Sequence, residues 1–140
     1  MSFQNQFTKT TTDANLMETV HHGSAEYPFR YYYENIALFD FKCIDWHWHS
    51  ELEFIYIESG NVVFDIGTVH FELNEGNGIM INSKILHRLQ SSSDAIIPNF
   101  LFQPSFIAPQ DSLIYKKYIN PVISSSLEYL VFQPDIPWQK

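Results

Sequence analysis

The chain has 140 residues, with 16 acidic against 8 basic side chains and a formal net charge of −8. That length makes one domain with its own core, and 45% hydrophobic with 16% aromatic content supplies large side chains to line a cavity. The acidic balance excludes a segment that grips a phosphate backbone, and the single cysteine, Cys43, excludes an internal disulfide. No apolar run is long enough for a membrane span or a signal peptide, which points to a cytoplasmic protein.

Residues 1–26 are polar, carry Thr10-Thr11-Thr12, and offer only Phe3, Phe7, Leu16 and Met17 as apolar anchors. They are expected to form a flexible N-terminal arm with a short turn near Leu16 to Val20. His21 and His22 are adjacent, point opposite ways on a strand, and read as surface residues. From Tyr27 the texture becomes strand-like, with residues 29–33 and 36–42 predicted as strands joined by a tight turn at Glu34-Asn35.

The stretch from Trp46 to Gly60, WHWHSELEFIYIESG, carries the strongest chemical signal. Histidines at positions i and i+2 of an extended strand share a face, so His47 and His49 point the same way, and Glu53 shares their parity. Two imidazoles and a carboxylate are the beginning of a metal site, since a divalent ion takes neutral nitrogens with a hard oxygen. The opposite parity reads Trp46, Trp48, Leu52, Phe54 and Tyr56, so an amphipathic strand with its apolar face inward and His and Glu in water fits the same residues. A third imidazole from a separate strand is what a closed site needs, and His87, which follows a glycine turn, an apolar strand and a second turn, shifts the balance toward it. Cys43 shares the parity of His47 if the strand is continuous, which directs it either to the same cavity or into the core as a structural thiol.

Next come strands over 62–66 and 69–73 around a two-residue Gly67-Thr68 hairpin, where glycine supplies positive φ. Residues 79–81, 87–90, 95–103 and 129–133 complete the strand pattern. Many short strands broken by turns make the chain mainly β, a jelly-roll sandwich or barrel. After Pro104 the pattern turns helical, with Asp111 as N-cap and Leu113, Ile114, Lys117 and Tyr118 spaced for one apolar face until Pro121 ends it. Asp135 to Lys140 reads as the start of another helix, with an acid and a proline in its first turn. Phosphate-cradling glycine loops, a nucleophile elbow and a Cys–His pair at motif spacing are missing from the sequence.

The paired segments resemble the two motifs of the cupin superfamily. His47, His49, Glu53 and Gly60 fit the first motif throughout, although the glycine expected before His47 is missing. Gly76 and His87 have the separation of the second, but Asn82 and Lys84 stand where the family has Pro and Gly. A narrower resemblance covers nearly the whole chain: HWHSELEFIYIESG, VVFDIGTVHFELNEG, IMINSKILHRL and NFLFQPSFI are similar to the N-terminal sensor domain of AraC-type transcription regulators.

The resemblance implies a cupin jelly-roll barrel over 27–140 with one or two short C-terminal helices. It implies a small-molecule effector in the barrel, action on DNA only through a separate helix-turn-helix domain absent from this chain, and a homodimer. His47, His49, Glu53 and His87 become its metal or ligand residues; Lys84 and Arg88, which flank His87, read either as contacts for an anionic ligand at the pocket mouth or as solvated turn residues. Three imidazoles and a carboxylate suit Fe, Mn, Ni or Zn, while sensor domains of this family often keep the fold without a metal. In some relatives an N-terminal arm folds over the pocket. The rival reading on the same four residues is a small metal-dependent cupin enzyme of dioxygenase or isomerase type.

Overall fold

Alternation of apolar and polar residues along short strands has one stable outcome, two sheets that bury their apolar faces against each other. A computed structural model describes residues 4–140 in this form; Phe3 lies outside the described residues. The strands are β1 (Phe29–Asn35), β2 (Cys43–His47), β3 (Leu52–Tyr56), β4 (Asn61–Ile66), β5 (Val69–Asn74), β6 (Gly78–Ile81), β7 (His87–Gln90), β8 (Ile96–Phe102) and β9 (Tyr129–Phe132). They pair antiparallel in a five-stranded sheet, β1-β8-β3-β6-β9, and a four-stranded sheet, β2-β7-β4-β5. This is the jelly roll expected from the sequence. Ile55, Ile57, Phe64, Ile66, Ile81 and Leu89 form the centre of the core between the sheets.

Gly67 takes φ +56° in the hairpin between β4 and β5, as its turn requires. Residues 36–42, expected as a strand, form instead two 3₁₀ turns, Ile36–Leu38 and Asp40–Lys42. The cause is Asn35, whose side chain accepts a hydrogen bond from the Ala37 amide at 3.0 Å and bends the chain where β1 ends. Glu34 and Asn35 are therefore the last, buried residues of β1 and not a turn. The parity argument for Cys43 also fails, because β2 carries a bulge between Ile44 and His47. Ile44 and His47 both turn inward, while Cys43 turns to the Gln90 side chain.

Residues 113–123 are helical, as expected, but Ser112 caps them in place of Asp111, accepting the Tyr115 amide at 3.1 Å. Pro121 sits inside the helix and does not end it. Proline has no N–H and its ring crowds the carbonyl four residues back, and the wide π-turn over Tyr115–Ile119 accommodates both before α1 (Asn120–Ile123). Of the expected apolar face, Leu113, Ile114 and Tyr118 stand in solvent, 83%, 57% and 60% exposed. Ile123 packs on an aromatic outer surface of the five-stranded sheet built from Phe54, Phe100, Phe102 and Phe132.

Asn82 joins this helix to the sheets. Its Nδ2 donates to the carbonyls of Val122 at 2.9 Å and Leu127 at 2.7 Å, and its Oδ1 accepts from the Ser83 amide at 2.8 Å. The residue is 2% exposed, so no water replaces these bonds. Replacing it with alanine removes the partner of the Leu127 carbonyl and of the Ser83 amide, while the Val122 carbonyl keeps the Ser125 hydroxyl at 2.6 Å. Asn82→Ala is expected to lower unfolding stability by about 2 kcal/mol, read as a lower denaturant midpoint at unchanged slope.

Candidate functional site

Pairing of β2 with β7 sets His47 directly opposite His87, and their ring centroids lie 4.3 Å apart. His49, just past β2, lies 5.5 Å from His47 and 5.1 Å from His87. Glu53 reaches the same point from β3 in the facing sheet, its Oε1 at 3.2 Å from His87 Nε2 and 3.7 Å from His49 Nε2. All four side chains are buried. The reading that put His and Glu in water is thereby overturned: Trp46 and Trp48 are the half-buried outer residues of this strand.

The altered second motif braces this centre. Lys84 holds φ +63°, a left-handed conformation that glycine adopts without penalty, which explains the glycine usual there. Its amide donates to the His49 carbonyl at 2.8 Å, and Ser83 Oγ donates to the Ser50 carbonyl at 2.6 Å. Lys84 therefore acts through its backbone, and its exposed side chain does not line the cavity. Arg88 also points away: it donates to Asp65 at 3.1 and 3.0 Å and lies over the Trp46 ring on the outer surface.

Each imidazole is held by its Nδ1 against a backbone carbonyl: His47 against Asp45 at 2.7 Å, His49 against Glu51 at 3.1 Å, and His87 against Ile85 at 2.7 Å. A carbonyl only accepts, so Nδ1 carries the hydrogen and Nε2 presents a lone pair. Ligand atoms of the three histidines lie within 4.8 Å of one another, and His49 Nε2 is buried without a hydrogen-bond partner among the described residues. Burial, reinforced by neighbouring His87, pulls His47 down to about 3, so it is neutral. Burial also opposes charge on His49, but the Glu53 carboxylate 3.7 Å from its Nε2, with Glu18 and Glu51, raises it to about 9. Burial would raise Glu53, yet the neighbouring imidazoles of His49 and His87 hold it well below the usual carboxylate range. Three imidazole lone pairs and a carboxylate around one point need one positive charge between them, a proton on His49 or a metal ion in its place. The donor set fits such an ion.

The centre opens onto a cavity of about 50 Å³. Its wall includes Glu34 and Tyr32 of β1, Asn99 of β8, and Glu18 and His22 from the N-terminal segment. His22, expected at the surface, is buried. Glu18 accepts from its Nε2, so Nδ1 accepts from the Tyr32 hydroxyl at 2.7 Å. The segment is tied down at Trp48, between the two histidines: Trp48 N donates to the Leu16 carbonyl at 3.0 Å, and Glu18 N to the Trp48 carbonyl at 2.9 Å. Sequence reasoning missed Glu34 and Asn99. Their signal was present, an isolated Asn at the inward parity of apolar β8 and a Glu two residues after inward Tyr32.

The AraC-like ligand binding domain family matches residues 38–108. Over 131 residues the chain is 32% identical to YdeC of Bacillus subtilis, an uncharacterized HTH-type transcriptional regulator, covering 91% of this chain and 44% of that protein. The chain thus spans less than half the length of this relative. Among solved structures it resembles a cupin 2 conserved barrel domain protein from Salinispora arenicola, with TM-score 0.50 and 13% identity over 64% of this chain and 71% of that one. It also resembles a cupin superfamily protein from Desulfitobacterium hafniense, with TM-score 0.50 and 10% identity over 54% and 68%. These structural likenesses establish the cupin fold alone.

Burial raises Glu34 from its ordinary 4.5 to about 7, against the lowering effect of its Asn99 hydrogen bond. Below pH 4.5 the group is protonated in folded and unfolded chains alike and is neutral to stability. As pH rises to 7 the unfolded chain ionises first, so stability falls, and above 7 the loss is about 3 kcal/mol. Glu34→Gln is therefore expected to raise the Tm at pH 8 and leave it nearly unchanged at pH 4.5, as thermal unfolding at both values will read.

Proposed function

Because the chain belongs to the family of AraC-like ligand binding domains, we propose that its barrel senses a small molecule on behalf of a DNA-binding helix-turn-helix region elsewhere in a longer cytoplasmic regulator. The observation that carries this reading is the small cavity between the sheets, lined by apolar and polar side chains, joined to a braced histidine cluster and covered on one side by an N-terminal segment. An acidic domain without a basic recognition surface has no counterion release to drive DNA binding, so contact with DNA falls to the other region. The 140 residues alone are expected to give no sequence-selective DNA shift, whereas the longer protein shifts its operator in response to effector. A salt-sensitive, sequence-selective shift by this chain overturns the division of labour.

His47, His49, His87 and Glu53 are proposed to hold a divalent Fe, Mn, Ni or Zn, which when bound supplies a Lewis-acidic position for a ligand oxygen. Around it the backbone carbonyls of Asp45, Glu51 and Ile85 orient the three rings, and the apolar wall excludes water. Elemental analysis of protein purified without added metal, beside His49→Ala and His87→Ala, is expected to find the ion only in the parent chain. Equal content in all three removes the metal site and leaves a pocket that binds ligand by hydrogen bonds. Turnover of a retained small molecule by the metal-loaded protein would move it to the enzyme reading.

The regulator is proposed to work as a homodimer. Leu113, Ile114 and Tyr118 form an exposed apolar strip on the helix, a surface of the kind that pairs two-fold related copies. Light scattering of the longer protein is expected to give a dimer, and Leu113→Glu with Tyr118→Glu a monomer.

A further inference from the structure

The cavity wall has an uneven inventory of charge. Glu18, Glu34 and Glu53 line it, and arginine does not. Lys9 reaches the rim, but its side chain is 73% exposed and pairs outside with Asp40 at 3.7 Å. An anionic ligand would meet three carboxylates, and the one positive charge nearby, on His49 or on an ion in its place, is already opposed by Glu53. A divalent ion at the histidines balances two of those charges and leaves one.

The hydrogen-bonding inventory is uneven in the same direction. Asn99 spends its Nδ2 on Glu34 Oε1 at 3.1 Å and on the Ile97 carbonyl at 2.9 Å. The Tyr32 hydroxyl is spent on His22. Among the described residues, Glu34 Oε2 and Asn99 Oδ1 have no protein partner, and both residues are more than nine-tenths buried, at 7% and 3% exposure. What Glu34 and Asn99 offer is two acceptors, while the Thr10 hydroxyl, which accepts from the Asp45 amide at 3.0 Å, lies elsewhere on the lining, so this wall asks for a ligand group that donates at least twice.

We propose that the ligand of this cavity carries a protonated amine, received by Glu34 Oε2 and Asn99 Oδ1 on the sheet that faces His47 and His87. The proposal rests on the reading of the barrel as the ligand site and adds the chemical class of the ligand. Size restricts it further: about 50 Å³ accommodates about four water-sized groups, which fits a short amine or amino alcohol, its hydroxyl directed to the histidine centre. The charge of the ammonium also offsets the burial that raises Glu34 when the cavity is without it. A neutral diol satisfies the acceptors but leaves the carboxylate charge unmatched, and a carboxylate ligand satisfies neither.

The test compares ethanolamine, ethylene glycol and acetate by titration calorimetry and thermal unfolding at pH 7.5, with the full chain and with Glu34→Gln. The variant keeps the Asn99 hydrogen bond and loses the charge, and it is expected to fold at least as stably as the parent. Ethanolamine is expected to bind and raise the Tm of the parent chain, with acetate inert and ethylene glycol much weaker. In Glu34→Gln the ethanolamine affinity is expected to fall about thirtyfold or more, the usual consequence of removing one partner of a buried charge pair. Acetate or glycol binding as tightly as ethanolamine, no binding by ethanolamine, or unchanged ethanolamine affinity in Glu34→Gln overturns the proposal. Failure of the sensor reading looks different, since it is seen in an operator shift by the longer protein that responds to no ligand.

Discussion

Everything at this site depends on a concentration of lone pairs in a dry interior. His47, His49 and His87 each donate Nδ1–H to a backbone carbonyl, so their Nε2 atoms converge with Glu53 Oε1 without a donor among them. In water such a group of acceptors would be solvated and indifferent. Inside a jelly roll it is stable only with a cation at its centre, whether a proton on His49 or a metal ion. The raised His49 and the depressed Glu53 are two expressions of that single requirement.

Holding four such groups together takes more than strand pairing. The β2–β7 register places His47 against His87, but His49 lies beyond the end of β2 and depends on the turn at Asn82, Ser83 and Lys84. Lys84 accepts a left-handed backbone so that its amide can reach the His49 carbonyl, and Ser83 fastens Ser50. Asn82 ties the same turn to the carbonyls of Val122 and Leu127. One hydrogen-bonded path therefore runs from the helix to the loop that carries His49.

The N-terminal segment closes the cavity with the same economy of contacts. It pairs with Trp48, the residue between two of the histidines, and brings Glu18 and His22 to the wall. The acidic side chains of the wall thus come from three distant places in the chain, the segment, β1 and β3. Their mutual repulsion in a low-dielectric space gives the cavity a charge preference that no single one of them carries.

Period-two alternation and glycine turns were enough to read the jelly roll, because burial of one face of each strand is a local property of composition. Motif spacing was enough to nominate His47, His49, Glu53 and His87, because two of them share a strand face and the others stand at fixed offsets from turns. Other features depended on contacts between distant residues. A bulge in β2 turned Cys43 outward, an Asn35 side chain converted residues 36–42 from strand to 3₁₀ turns, and His22 left the surface for a partner in Glu18 and Tyr32. Arg88 follows His87 on β7 and so faces the opposite side of the sheet, a consequence of parity that adjacency in the sequence obscured. Glu34 and Asn99 became a pair only when β1 and β8 aligned them across the barrel wall. Local pattern determines which residues can turn inward; which inward residues meet, and with what charge, is decided by strand register, and register is set by the packing of the whole.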